Sequence, residues 1–174
     1  LLAAIFWMWM SNAQLAQAEA IVQVTNNAVD EGDSLVTGGG IVWFRDEGVG
    51  ESLQLWDGLS TRQITKNPPT NIANLEAADG KVLWLETPES PPGVFPDPEL
   101  FLWNGSSTQT MASLANIEPG LQYNSFSMSG QRIAWSAFDG SDYEIYLWNG
   151  STVSQITDNL VDDGEVDISE THVA

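Results

Sequence analysis

Three stretches of the chain repeat one order of apolar and polar positions. Each stretch opens with an apolar run that contains a tryptophan, alternates to a second tryptophan, and then turns at an Asp-Gly or Asn-Gly pair. The tryptophan pairs are Trp43 and Trp56, Trp84 and Trp103, and Trp135 and Trp148. Alternation with β-branched and aromatic residues indicates strands. The second tryptophans recur after 47 and 45 residues, which is the length of a unit of four strands.

Each unit is predicted to hold four strands, which we label A to D. Strand B carries the first tryptophan and strand C the second. The Asp-Gly or Asn-Gly pair turns the chain into strand D because these residues tolerate a positive φ, and strand A precedes B across a short turn. The three predicted units cover approximately 33–65, 72–112 and 124–157. The proline-rich segment 86–99 cannot belong to a central strand and is predicted to be a surface loop.

Both flanks of the three units fit the same template. Residues 21–25 match strand D and predict a leading outer strand, whereas 165–174 match strand A and the start of strand B and predict a partial fourth unit. The predicted fold class is therefore all-β, a β-propeller with three full blades of four antiparallel strands and partial ones. Because an open arc would leave apolar faces in water, we expect 21–174 to be a partial propeller from a longer protein. Self-association of the segment, or a four-bladed ring closed by the leading strand, is the alternative.

The first residues of the chain are apolar and carry no charge before Glu19. Residues 1–10 form a hydrophobic run too short to cross a bilayer, and a small polar stretch ending in Ala16-Gln17-Ala18 follows. This order predicts a signal peptide over 1–18, or to residue 20. We therefore expect an exported protein, periplasmic or extracellular, without a membrane anchor after cleavage. A retained anchor or a buried helix is the alternative.

Charge and composition exclude several classes of function. The 174 residues include five Lys or Arg and 24 Asp or Glu, for a net charge of −19. A field of this sign repels phosphates, so nucleic-acid binding is not expected. The sequence has no Cys, one histidine, His172, and no Gly-x-Ser-x-Gly motif. We therefore predict no catalytic residue, no cysteine-based metal site and no cofactor-binding residue.

Acidic loops supply candidate ligands for a metal. In a propeller the loop from strand B to C and the loop from strand D to the next A leave the sheets on one face, which brings two acidic segments of the third unit together. Such clustered oxygen ligands suit Ca²⁺. The candidate ligands are Asp139, Asp142, Glu144, Asp158, Asp162 and Asp163, and the matching loop of the first unit holds Asp30, Glu31 and Asp33. The alternative is that all of them are solvated turn residues.

The six repeated tryptophans recur at fixed strand positions, where alternation places them between neighbouring sheets. We expect them to form core contacts rather than a carbohydrate-stacking surface. The candidates for exposed ligand contacts are instead Val94, Phe95 and Tyr143, which lie in predicted loops.

The complete repeat resembles the TolB-type β-propeller, a WD-repeat-like family common among exported bacterial proteins. The resemblance rests on 132–159 and on weaker copies at 62–67 and 22–27, and it covers 21–174. Such propellers act as protein-binding platforms. We therefore expect a non-catalytic, exported propeller segment that presents its acidic loop face to a protein, a glycan or calcium. Two alternatives stay open: an accessory propeller of a secreted hydrolase or lyase whose catalytic part is outside this chain, and a surface-layer or filament component.

Overall fold

The computed structural model describes residues 22–66, 70–88, 90–91, 96–113 and 125–174. The described residues form β-strands and no helix, so the fold is all-β. The strands are β1 (Glu31–Thr37), β2 (Gly40–Asp46), β3 (Glu51–Trp56), β4 (Thr61–Gln63), β5 (Thr70–Ala78), β6 (Lys81–Pro88), β7 (Glu99–Trp103), β8 (Thr108–Ser113), β9 (Phe126–Ser129), β10 (Arg132–Phe138), β11 (Tyr143–Trp148) and β12 (Val153–Gln155). In this part of the chain, no helix is long and apolar enough to span a membrane. The predicted signal peptide over 1–18 lies outside the described residues.

The strands form three antiparallel meanders, β1 to β4, β5 to β8 and β9 to β12. Each meander fills the predicted positions A to D in sequence order. The first two meanders join into one eight-stranded sheet through a single pair between β3 and β5, Glu51 and Thr70, and the third is a separate sheet. The described residues form no closed ring of sheets.

The hairpin between strands C and D is the same in all three meanders. Asp57, Asn104 and Asn149 each accept hydrogen bonds at Oδ1 from the backbone N–H groups two and three residues later, at 2.9–3.0 Å. The glycine that follows each of them has a φ between 94° and 100°. The recurring Asp-Gly or Asn-Gly pair is therefore required by the turn, since it combines a side-chain acceptor with a left-handed backbone.

Apolar side chains fill the space between consecutive meanders. One face of the first meander, with Leu53 and Ile64, packs against Trp84 and Phe101 of the second. The other face of the second meander packs in the same way against Trp135 and its neighbours in the third. Four of the repeated tryptophans are buried, namely Trp43, Trp84, Trp103 and Trp135, and the other two are partly buried. The prediction that the tryptophans pack between sheets is thus confirmed for the second and third units.

The C-terminal residues pack on the far side of the third sheet. Val166 and Ile168 are buried against Ala134 and Ile145. Ile168 also pairs with Val173 in an isolated bridge. This short hairpin occupies the place predicted for the start of a fourth unit.

The leading strand predicted over 21–25 is not observed where the chain is described, because residues 22–25 form no strand and residue 21 lies outside the described residues. An outer strand needs the free edge of a C strand. The C strands β3, β7 and β11 already pair with β4, β8 and β12, so none of them offers that edge.

Candidate metal centre

A tight loop between β10 and β11 brings three acidic side chains together. The Asp139 N–H donates to the Asp142 carbonyl at 3.1 Å, and Asp139 Oδ1 accepts from the Ser141 N–H at 2.8 Å. Gly140, with a φ of 116°, allows this turn because glycine has no Cβ. One carboxylate oxygen each of Asp139, Asp142 and Glu144 lies within 4.8 Å of the other two. We call these three residues the acidic triad.

Two members of the acidic triad are buried. The exposed fraction is 8% for Asp142 and 0% for Glu144. Both carboxylate oxygens of Asp142 and Oε2 of Glu144 are buried without a hydrogen-bond partner in the described part of the chain. Buried carboxylate oxygens are costly unless a donor or a cation satisfies them. Solvated turn residues would leave these oxygens in water, which is not what the structure contains.

The charge around the acidic triad is uniformly negative. Burial raises the pKa of Asp142, and the charges of Glu144, Asp139, Asp162 and Asp163 raise it further. Burial also raises the pKa of the Tyr146 hydroxyl, together with the charges of Asp139, Glu144 and Asp158. In the described ranges the ion pairs belong to the first unit, formed by Arg45 and Arg62. A neutral triad therefore requires a bound cation or protons.

The segment from strand D to the next unit lies against the same end of β11. We call residues 157–164 the connector. Asp162 Oδ1 accepts from the Tyr143 N–H at 3.0 Å, and the Asp163 N–H donates to the Tyr143 carbonyl at 2.7 Å. The structure thus brings Asp162 and Asp163 beside the triad. Asp158 is exposed and is not one of the three clustered acids.

The sequence analysis did not single out Asn159, which joins the connector to the triad. Its N–H donates to Glu144 Oε1 at 2.7 Å, and its Nδ2 donates to Asp163 Oδ2 at 2.7 Å. A copy of this turn precedes β1, where Asn27 Nδ2 donates to Glu31 Oε1 at 3.1 Å. The repeated Asn in the sequence copies at 22–27 and 132–159 was the signal that could have identified this residue.

The matching loop of the first unit does not form such a cluster. Asp30, Glu31 and Asp33 are not part of any group of three clustered acids in the described residues. β3 carries Ser52 at the position that Glu144 holds in β11, and Ser52 Oγ donates to Glu47 Oε1 at 2.7 Å. A strand-borne carboxylate therefore distinguishes the third unit from the first.

The prediction that Tyr143 is an exposed ligand contact is wrong. Tyr143 is buried because it pairs with Phe138 across β10 and β11, and the two rings pack edge to face at 5.6 Å. The other two candidates for exposed contacts, Val94 and Phe95, lie outside the described residues. His172 is exposed, and its Nδ1 lies 2.7 Å from the Thr171 hydroxyl.

The geometry of the acidic triad suits one Ca²⁺ ion. Oxygen ligands of Ca²⁺ lie about 2.3–2.6 Å from the metal, so two of them are at most roughly 5 Å apart. The separations within the triad fall inside this limit. Three carboxylates would supply at least three of the six to eight oxygens that Ca²⁺ takes, and backbone carbonyls or water supply the rest in such sites.

No protein-family model and no curated protein sequence matches the chain. Among solved structures, the acylaminoacyl peptidase of Pyrococcus horikoshii, in an orthorhombic crystal form, is similar with a TM-score of 0.53 and 13% sequence identity. The match covers 79% of this chain and 22% of the peptidase chain, so the chain spans about a fifth of the length of that protein. At this identity the likeness concerns the fold alone.

Proposed function

We propose that the chain is part of an exported, non-catalytic β-propeller of the TolB type that binds Ca²⁺ at the acidic triad and serves as a binding scaffold. One observation carries the metal part: the carboxylates of Asp142 and Glu144 are buried, lie beside Asp139, and have three oxygens without a hydrogen-bond donor. A bound divalent cation would satisfy these oxygens and offset their mutual repulsion.

The propeller part of the proposal is supported by the repeat of the four-stranded meander. Each meander has the same strand order and the same turn into its last strand. The second meander packs one apolar face on the first and the other on the third, and the third meander packs its far face on the C-terminal hairpin. This is the way in which blades stack around an axis. A rigid stack of sheets fixes the loops at its end, and fixed loops are suited to binding.

A scaffold role agrees with the position of the triad at one end of the third sheet, in the loop between β10 and β11 and at the start of β11. The partner would be a protein or a glycan that contacts this acidic loop face, either directly or through the cation. A second candidate is an accessory propeller of a larger hydrolase. This candidate is favoured by the similar fold found in the peptidase. The matched part is only 22% of that peptidase chain, so there the similar fold is one part of a larger protein.

Isothermal titration calorimetry of the full chain, after removal of metal with EDTA, tests the metal part. We expect one Ca²⁺ site with a Kd of about 10⁻⁴–10⁻³ M or tighter, in the range of extracellular modules. Asp142→Asn should abolish this site, because it removes a charge without changing the size of the side chain. Asp33→Asn, in the matching loop of the first unit, is the control and should bind as the unmodified chain does.

Two results would contradict the metal part. One is the absence of heat and of any melting-temperature shift at millimolar Ca²⁺. The other is unchanged Ca²⁺ binding by Asp142→Asn, which would place the ion elsewhere. A Mg²⁺ titration run in parallel should give weaker binding, since Mg²⁺ demands shorter bonds and near-ideal octahedral geometry.

A further inference from the structure

The acidic triad and the connector are joined by a short network of hydrogen bonds. Glu144 uses one carboxylate oxygen to hold the Asn159 N–H, while its other oxygen is buried without a donor. The backbone of Tyr143, which lies between two triad residues, pairs with Asp162 and Asp163. A ligand that moves Glu144 or Asp142 therefore acts directly on the connector.

The connector leads into the hairpin that packs on the third sheet. Ser136 Oγ of β10 donates to the Asp163 carbonyl at 3.0 Å. Two residues beyond the connector, the Val166 N–H donates to Ser125 Oγ at 2.8 Å, and Val166 and Ile168 are buried on the sheet. The path from the triad to this apolar contact is thus continuous and short.

The hairpin has little to hold it in place by itself. It contains one isolated bridge, and the pair of backbone hydrogen bonds between Asp167 and Ala174 closes its end at 2.8 and 2.9 Å. Hairpins of two strands are marginally stable at best in water. Its position on the third sheet therefore depends on contacts outside the hairpin. These are the apolar contact, the connector, and hydrogen bonds from the side chains of Ser125, Ser127 and Arg132.

Electrostatics works against the connector when the triad is empty. Asp162 and Asp163 both hydrogen-bond to Tyr143, which lies between two triad residues, so five carboxylates from two segments lie near one another and repel. The ion pairs of the described residues are both in the first unit. A divalent cation reverses the sign of this interaction, because every one of these carboxylates is then attracted to the same centre.

We propose that Ca²⁺ at the acidic triad fixes the connector and thereby docks residues 165–174 on the third sheet. The ion then controls how the C-terminal hairpin is held on the third sheet. This inference rests on the proposed metal function and adds a regulatory role for the same site. The calcium concentration determines whether residues 165–174 are docked on the third sheet.

Hydrogen–deuterium exchange of the full chain, with Ca²⁺ alone or with EDTA, tests the coupling. Peptides that cover 157–174 should exchange with Ca²⁺ at about one tenth of their rate in EDTA, or more slowly still, because Ca²⁺ suppresses local opening. Peptides from β5 to β7 serve as the internal reference and should be unchanged. Asp142→Asn should lose the Ca²⁺ effect, and Asp33→Asn should keep it.

A second variant tests the coupling from the opposite direction. Ile168→Asn removes the apolar anchor of the hairpin without touching the triad. If Ca²⁺ binding stabilises the docked hairpin, the docked hairpin must stabilise Ca²⁺ binding by the same factor. The Ca²⁺ affinity of this variant should therefore fall by the factor by which Ca²⁺ slows exchange of 157–174 in the unmodified chain. Exchange of β10 and β11 in the same variant checks that the third sheet remains folded.

The outcomes separate the two proposals. Ca²⁺ binding with unchanged exchange of 157–174, or with unchanged affinity in a folded Ile168→Asn chain, overturns the docking role and leaves the metal site intact. Absence of Ca²⁺ binding by the unmodified chain overturns the metal site and the docking role together. Slower exchange of 157–174 with Ca²⁺ in the unmodified chain, lost in Asp142→Asn, supports both.

Discussion

At the scale of single residues, Gly40 lies where the backbone leaves no room for a side chain. Its φ is 139°, and a Cβ built there would lie 1.8 Å from the carbonyl oxygen of Trp56. We expect Gly40→Ala to destabilise the chain by about 3 kcal/mol or more, since strain and a steric clash add. The midpoint of urea unfolding measures this loss.

Gly48 provides the matched control for this substitution. It has a φ of 80°, but a Cβ there meets nothing within 4 Å. Gly48→Ala should therefore lose only about 1–2 kcal/mol, the cost of a left-handed backbone for a residue with a side chain. Equal losses for the two variants would contradict the clash with Trp56.

A buried carboxylate in the second unit gives a pH-dependent prediction. Glu86 is buried and accepts a hydrogen bond from Trp84 Nε1 at 2.8 Å. Burial raises its pKa above the ordinary 4.5, and the charge of Glu99 adds to this, while the Trp84 hydrogen bond and Lys66 act in the opposite direction. The folded state thus binds this proton more tightly than the unfolded state, and stability falls as pH rises from the ordinary glutamate range through the raised pKa.

We expect Glu86→Gln to be more stable than the unmodified chain at pH 7 and to lose this advantage as pH falls toward the ordinary pKa. The amide keeps an acceptor for Trp84 and cannot ionise. Urea unfolding of both chains from pH 4 to 8 measures the difference. Glu170→Gln, at an exposed position, is the control. A constant difference between Glu86→Gln and the unmodified chain across this range would contradict the raised pKa.

At the scale of elements, the same position after strand D is buried in one unit and exposed in another. The Ile64 N–H donates to the Leu53 carbonyl at 2.9 Å, and the Ile156 N–H donates to the Ile145 carbonyl at 2.7 Å. Ile64 is 3% exposed because the second meander covers it, whereas Ile156 is 48% exposed. These residues therefore separate the contribution of sheet packing from that of the strand.

We expect Ile64→Ala to cost about 2–4 kcal/mol and Ile156→Ala less than about 1 kcal/mol, because only the first leaves a cavity between two meanders. Thermal or urea unfolding of the two variants measures this difference. Similar losses would mean that the interface between the first two meanders contributes little.

The repeat made most strand positions predictable, because alternation and the Asx-Gly turns depend on local chemistry. The packing of the tryptophans was predictable too, since a large apolar side chain at one strand position in every unit must be buried against a neighbouring unit. The same local pattern predicted a leading strand over 21–25, but residues 22–25 form no strand. A strand motif forms a strand only where a partner edge is free, and pairing over long sequence distances is absent from a local pattern.

The candidate site was predictable in its residue types and only partly in its geometry. The acid-rich loops indicated Asp139, Asp142 and Glu144, and they also suggested Asp158, which lies outside the triad. Asp142 and Glu144 differ from Asp158 in burial, since the first two are buried and Asp158 is exposed. This burial depends on how the connector folds back over β11. Tyr143 was misplaced for the same reason, since a residue next to a loop in sequence is the first residue of a strand in the structure.

At the scale of the whole molecule, a net charge of −19 on 174 residues opposes compaction through self-repulsion. Salt screens this repulsion, because the Debye length falls from about 30 Å at 0.01 M to about 3 Å at 1 M. We therefore expect the melting temperature in EDTA to rise by about 3 °C or more as NaCl is raised over this range. Differential scanning calorimetry measures the shift.

Ca²⁺ should add a separate increment that screening does not explain. At equal ionic strength, CaCl₂ should raise the melting temperature above the value in NaCl, because specific binding to the folded state adds its own stabilisation. In Asp142→Asn the NaCl effect should remain and the Ca²⁺ increment should vanish, since the variant changes one charge of the molecule and removes the buried ligand. If NaCl reproduced the whole Ca²⁺ effect, the ion would act on the overall field of the molecule rather than at the triad.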